Sequence, residues 1–66
     1  MREQILDSLK SHAIGQINKH KMDIEIYLSN PTGIGEHPDV LEAIEMKLKV
    51  VAEYDDQLAM IEKYLK

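Results

Sequence analysis

Three histidines, His12, His20 and His37, are the imidazoles of this 66-residue chain, and with no cysteine present they bound its metal and nucleophile chemistry. His12 and His20 stand eight residues apart. On one helix that spacing puts them on roughly one face but about 12 Å apart along the axis, too far to share one ion. His20 falls in an apolar stripe. It reads either as a partly buried interface histidine holding a hydrogen bond, or as a pH-sensitive or metal-binding group. Glu36-His37-Pro38-Asp39 groups two carboxylates and an imidazole. A hydrolytic or metal site there needs a third partner from elsewhere, and no HExxH or similar spacing is present; helix capping accounts for the same residues. Gly33-Ile34-Gly35 lacks the Gly-Lys-Ser/Thr of a phosphate loop, and no strand precedes it. With no nucleophile–base pair and no complete metal set, an enzyme is the least expected class, and no cofactor is implied.

The elements that would position these groups are set by the central punctuation, Ser29 to Asp39. Both prolines and two of the three glycines lie there, flanked by long amphipathic patterns. Pro31 pushes the preceding residue out of the α region, and Asn30 tolerates the left-handed conformation that often ends a helix. Pro38 suits a first helical turn, where its missing N–H would have no partner anyway. If Asp39 is instead the cap, Asp39-Val40-Leu41-Glu42 is a capping box. The expectation is an all-α, antiparallel two-helix hairpin in one domain: a helix over about 3–29, a loop over about 30–37 and a helix over about 38–65. Ile34, apolar within the loop, is expected to plug the end of the helix pair.

In the first helix the stripe runs Leu6, Leu9, Ala13, Ile17, His20, Ile24, Leu28, an eleven-residue repeat suited to a nearly straight helix. Gly15 lies off it, costing about 1 kcal/mol against Ala, and a small residue there would allow another helix to approach. Met22 to Leu28 also alternates as a strand would, but a lone strand has no partner, and helix is favoured. In the second helix a near-heptad stripe runs Leu41, Ile44, Leu48, Val51, Asp55, Leu58, Glu62 or Ile61, Leu65. A second row lies beside it: Ala43, Met46 or Lys47, Val50, Tyr54, Ile61, Tyr64.

That second row carries the functional expectation. Two helices pressed together need one stripe each, about 100° wide. Met46, Val50, Tyr54, Met60, Ile61 and Tyr64 widen the apolar face of one helix, as Ile5, Ile14 and Ile26 widen the other. Surplus of this kind marks an interface. A homodimer forming a four-helix bundle is expected, or a hairpin docked on a larger partner, with Ile17, His20, Ile24, Met46, Val50, Tyr54, Ile61 and Tyr64 as the contact set. With the turn near Ile34 and Gly35, the numbers of facing residues add to about 69. Asp55 then faces the region of His12, Ala13 and Gln16. A carboxylate in a core is costly unless paired. Asp55 either bonds His12 or Gln16 and fixes the register, or turns to the solvated rim beside Asp56. Glu45–Lys49 and Glu62–Lys66 have the favourable i, i+4 order.

Composition agrees with a small associating domain. About 60% of the unfolded surface can be buried at this size, and such chains need disulfides, a metal or oligomerisation. The absent cysteines remove the first and suit a reducing compartment. Phe and Trp are also absent. The formal charge of −4 weighs against a phosphate-tracking nucleic-acid binder, and Lys19-His20-Lys21 is too short to form a basic patch. The charged start, Met1 to Asp7, precedes no apolar h-region, and no apolar run approaches the ~20 residues that span a bilayer. A soluble, cytoplasmic protein without membrane contact is expected.

The run Asn30-Pro31-Thr32-Gly33-Ile34-Gly35-Glu36-His37-Pro38-Asp39, with Glu42-Ala43-Ile44-Glu45 and Ala52-Glu53-Tyr54-Asp55, resembles a small family of contractile-tailed marine phages, including those infecting cyanobacteria. The resemblance covers almost the whole chain. It implies no activity or site residue, only a setting in the infected bacterial cytoplasm or a minor place in the virion. In size and architecture the chain is also similar to the plasmid Rop protein, a dimeric four-helix bundle that binds RNA despite an acidic total charge; the sequences do not match, and the analogy is one of fold. The leading expectation is a non-enzymatic helical module acting through homodimerisation and binding of a phage or host protein. A Rop-like nucleic-acid binder, favoured if dimerisation gathers Lys10, Lys19 and Lys21 on one face, and a minor virion component are the alternatives.

Overall fold

The computed structural model describes residues 1–29 and 39–66. Two helices are found, α1 over Arg2–Ser29 and α2 over Val40–Tyr64, and no strand among the described residues. The alternating segment Met22 to Leu28 is therefore helical, continuous with the residues before it. The expected loop and the Ile34 plug, with Glu36, His37 and Pro38, lie outside the described residues.

The start of α2 follows from Asp39. Its backbone stands at φ −131°, ψ 83°, outside the helical region, while a side-chain oxygen accepts from the Glu42 N–H at 2.8 Å. The Asp39 carbonyl takes the first helical bond, from the Ala43 N–H at 3.2 Å. One otherwise unpartnered donor of the first turn is thus satisfied, and two carboxylates stand at the positive end of the helix dipole. At the other end, the Leu65 N–H still reaches the Ile61 carbonyl at 2.9 Å.

The helices pack antiparallel. Arg2 Nη2 donates to the Leu65 carbonyl at 2.6 Å, Lys10 meets Glu62 at 3.8 Å, His12 meets Tyr54 at 3.4 Å and Asp23 meets Lys47 at 3.2 Å. The residue numbers of these four pairs add to between 66 and 72, around the expected 69. The result is a rod measuring 47 × 16 × 15 Å, one layer of side chains thick.

The phase of the stripes differs from the expectation. Ala13 and Ile61 are buried, and the half-buried positions of α1 include Leu6, Lys10, Ile17, His20, Ile24 and Tyr27. In α2 the seam runs Val40, Ile44, Lys47, Val51, Tyr54, Leu58, Ile61. Both seams step by four and three alternately, a strict heptad. Leu9 and Leu28 are 51% and 61% exposed, and Leu41 and Leu48 are 76% and 51% exposed, so none of these four belongs to the helix–helix contact. The cause is geometric: helices that stay in contact over many turns cross at a shallow angle and keep facing each other every 3.5 residues, not every 3.67. Lys10 and Lys47 enter the seam by laying their methylene stems along it while each ammonium reaches a carboxylate at the edge.

Candidate interaction surface

The heptad seam divides the rest of the surface into two flanks. One flank follows Tyr27, Lys47 and Tyr54. It carries an open groove of 370 Å³ lined by His20, Tyr27, Ala43, Met46, Lys47 and Val50. A second hollow of 220 Å³, lined by Asp23, Ile26, Tyr27 and Lys47, adjoins it and shares two of its residues. Further along the same flank, the rings of His12 and Tyr54 meet edge to face, with centroids 5.5 Å apart at 76°. Their polar atoms stand 3.4 Å apart, long for a hydrogen bond, so ring packing supplies most of this contact. His20 Nδ1 lies 2.7 Å from the Gln16 carbonyl. A carbonyl only accepts, so Nδ1 carries the proton and donates, and that satisfies the nitrogen nearest the backbone of α1.

Large apolar side chains continue this flank to both ends. Ile26 and Met46, 51% and 62% exposed, extend the groove. At the end holding both helix termini Arg2 and Tyr64, the side chains of Ile5, Leu9, Met60 and Tyr64 are 53%, 51%, 38% and 67% exposed. Helical rise places Ile5 beside Tyr64 and Leu9 beside Met60, because both pairs of numbers add to 69. Between the two apolar ends lies a polar band that includes Gln16, Lys19, Glu53 and Gln57.

The opposite flank has a different character. Leu28, Leu41 and Leu48 crowd the end where α1 finishes and α2 begins. Asp7, Asp55 and Glu62 occupy the other half beside Ile14, which is 49% exposed, and Glu62 is already held by Lys10 at 3.8 Å and Lys66 at 3.6 Å. Glu45 and Lys49 form no ion pair among the described residues.

The residues expected to form the contact set fall into two groups. Ile17, Ile24 and Ile61 are taken up by the seam within one chain. Met46, Val50, Tyr64, the edge of Tyr54 and His20 line the groove-bearing flank. Asp55 takes the second of its two readings: it is exposed at the rim, with no bond to His12 or Gln16 among the described residues. Tyr54, one residue earlier, meets His12 in its place. Tyr27 and Lys47, which line both hollows, were not singled out as contact residues. The signal for them was the seven-residue step from His20 to Tyr27 and from Lys47 to Tyr54.

Among the described residues no group of three His, Cys, Asp or Glu side chains could hold a metal ion, and no helix is long and apolar enough to cross a membrane. The fold and surface define a thin two-helix unit that leaves thirteen large apolar side chains exposed among the described residues. No protein-family profile, curated protein or solved structure matches the chain.

Proposed function

We propose that this protein is a non-enzymatic helical interaction module that self-associates and binds another protein. The resemblance to a phage family makes that protein one of the phage or its host, met in the bacterial cytoplasm. One observation carries this reading. Among the described residues, thirteen large apolar side chains are exposed, against two apolar residues that are buried. A compact monomer of 7.6 kDa exposes about 4,300 Å² by the mass scaling of folded proteins. This chain exposes 5,235 Å², an excess of about 900 Å². A rod exposes more than a compact body of its mass, and a typical interface takes about 800 Å² from each partner, an area of the same order as this excess.

A Rop-like nucleic-acid function needs Lys10, Lys19 and Lys21 gathered on one face. Lys10 is engaged with Glu62, and heptad position puts Lys19 on the groove-bearing flank and Lys21 on the other. Nothing here favours that reading.

Sedimentation equilibrium across a range of concentrations, paired with thermal melts of the same samples, tests self-association. A dimeric mass and a melting temperature that climbs with concentration are expected, because association with the folded form alone shifts the equilibrium by mass action. A monomeric mass with an unchanging melting temperature would overturn the proposal.

A further inference from the structure

We infer that the groove-bearing flank receives a second copy of this chain, with the two-fold axis running along the length of the rod. The ends at which α1 finishes and α2 begins then lie together in the dimer. This deepens the self-association proposed above and rests on it.

The choice of flank follows from what each would bury. The groove-bearing flank offers Ile5, Leu9, Ile26, Met46, Met60 and Tyr64, spread along the rod and all more than a third exposed. A face 47 Å long and 16 Å wide spans about 750 Å², close to one partner's share of a standard interface. The opposite flank would bring Asp7 and Asp55 of two copies together, four carboxylates that have no ion partner among the described residues, in half of one interface. Like charges so placed oppose association.

The orientation follows from charge. A two-fold axis lying in the interface has two choices. Running across the rod at mid-length, it sets α1 on α1 and α2 on α2. The midpoints of Arg2–Ser29 and Val40–Tyr64 fall at Gln16 and within one residue of Glu53. Glu53 would therefore meet Glu53 of the other copy. Running along the rod, the axis sets α1 of one copy on α2 of the other, and residues at equal height meet. Lys19 and Glu53 stand about 5 Å apart in height by helical rise, both are exposed, and neither has an ion partner among the described residues. Each Lys19 then faces the Glu53 of the other copy. Ile5 meets Tyr64, Leu9 meets Met60 and Ile26 meets Met46 across the same interface. Under either axis every helix neighbours two antiparallel helices, so the helix dipoles do not choose between them and the Lys19–Glu53 pairing does.

Two measurements on the full chain test this. The first places a nitroxide on Ser29→Cys, the sole thiol because the chain has no cysteine, and reads the distance between labels by pulsed electron spin resonance. The inferred dimer gives a separation below about 30 Å, the width of a four-helix bundle plus two label arms. A crosswise axis sets the labels about 40 Å apart along the rod, close to the length of α1. The second measurement compares Leu9→Glu with Leu41→Glu, both at exposed sites. Leu9→Glu should abolish the dimer, and Leu41→Glu should leave it intact. Lys19→Glu should weaken it about tenfold, through two ion pairs turned repulsive, and adding Glu53→Lys should restore it. A dimer with labels about 40 Å apart, or one broken by Leu41→Glu and not by Leu9→Glu, overturns the inference and leaves self-association standing. A chain that stays monomeric overturns both.

Discussion

Replacing Ile61 by Ala, next to Leu41 by Ala, tests whether the seam lies where the heptad puts it. Ile61 is 8% exposed, so the change removes buried carbon and leaves a cavity between two helices only one layer deep. Buried Ile→Ala substitutions cost about 2–5 kcal/mol. Ile61 sits three residues from the end of α2, where the backbone can partly collapse into the gap, which places it near about 2–3 kcal/mol. In a domain of this size each kcal/mol moves the melting temperature by about 4–8 °C, so Ile61→Ala should lower it by roughly 10–20 °C. Leu41 is 76% exposed and has a quarter of its surface to lose. Full burial of a leucine is worth about 1.5–3 kcal/mol, so Leu41→Ala should cost under about 0.8 kcal/mol, or a few degrees. Far-ultraviolet circular dichroism melts, run at one fixed protein concentration so that association does not differ between samples, provide the readout. An equal or larger loss from Leu41→Ala would put Leu41, Leu48 and Asp55 in the seam and refute the heptad phase.

Three further outcomes follow from single sites. A Cβ added at Gly15 meets nothing within 4 Å, so Gly15→Ala should stabilise by about 0.5–1 kcal/mol through the unfolded chain's lost freedom; a fall in melting temperature would mean that another helix approaches there. Asp39→Ala should cost about 1 kcal/mol in chemical denaturation by freeing the Glu42 N–H, while Asp39→Asn, which keeps the acceptor, should recover most of it; equal losses from both would show that the cap bond contributes nothing. The Asp23–Lys47 pair is 3.2 Å long but about a third exposed on each side. A double-mutant cycle with Asp23→Asn and Lys47→Met should therefore give a coupling under about 1 kcal/mol, and a larger value would mean that the pair is far less solvated than its exposure implies.

Much of the architecture was legible in the residues. Two long amphipathic patterns around a Pro/Gly-rich centre pointed to two helices, and the position of that centre gave a register that the four cross-helix contacts bracket. The phase was not legible, for a physical reason. Leu9, Leu28, Leu41 and Leu48 are the most apolar residues near the seam, and a stripe drawn by hydrophobicity passes through them. The folded pair instead covers Lys10, Tyr27, Lys47 and Tyr54, whose long stems and rings pack while their polar tips reach water or a partner. Residue type marks the ends of such side chains, whereas packing uses their middles. Asp55 shows the same difference on a finer scale. A step of one residue turns the helix by about 100°, which puts Tyr54 against His12 and Asp55 in solvent.

In the dimer inferred above, the polar band between the two apolar ends has a specifying role that its small energy would not suggest. A two-fold axis along the rod requires the two copies to sit at equal height, since any slip between them breaks the symmetry and leaves a surface free to add a third copy, the route to open filaments. Apolar rows alone would tolerate such a slip, because a heptad repeats every seven residues. The band does not tolerate it. A slip of one heptad in either direction sets Lys19 on Met46 or Met60 of the other copy, and sets Glu53 on Ile26 or His12. Against Met46, Met60 or Ile26, an ammonium or carboxylate loses water without gaining a partner, which costs more than an exposed ion pair returns, and every such slip includes at least one of these contacts. In the inferred dimer Lys19 and Glu53 therefore add little to the strength of the equal-height pairing and much to the difference between it and the slipped ones, and specificity depends on that difference.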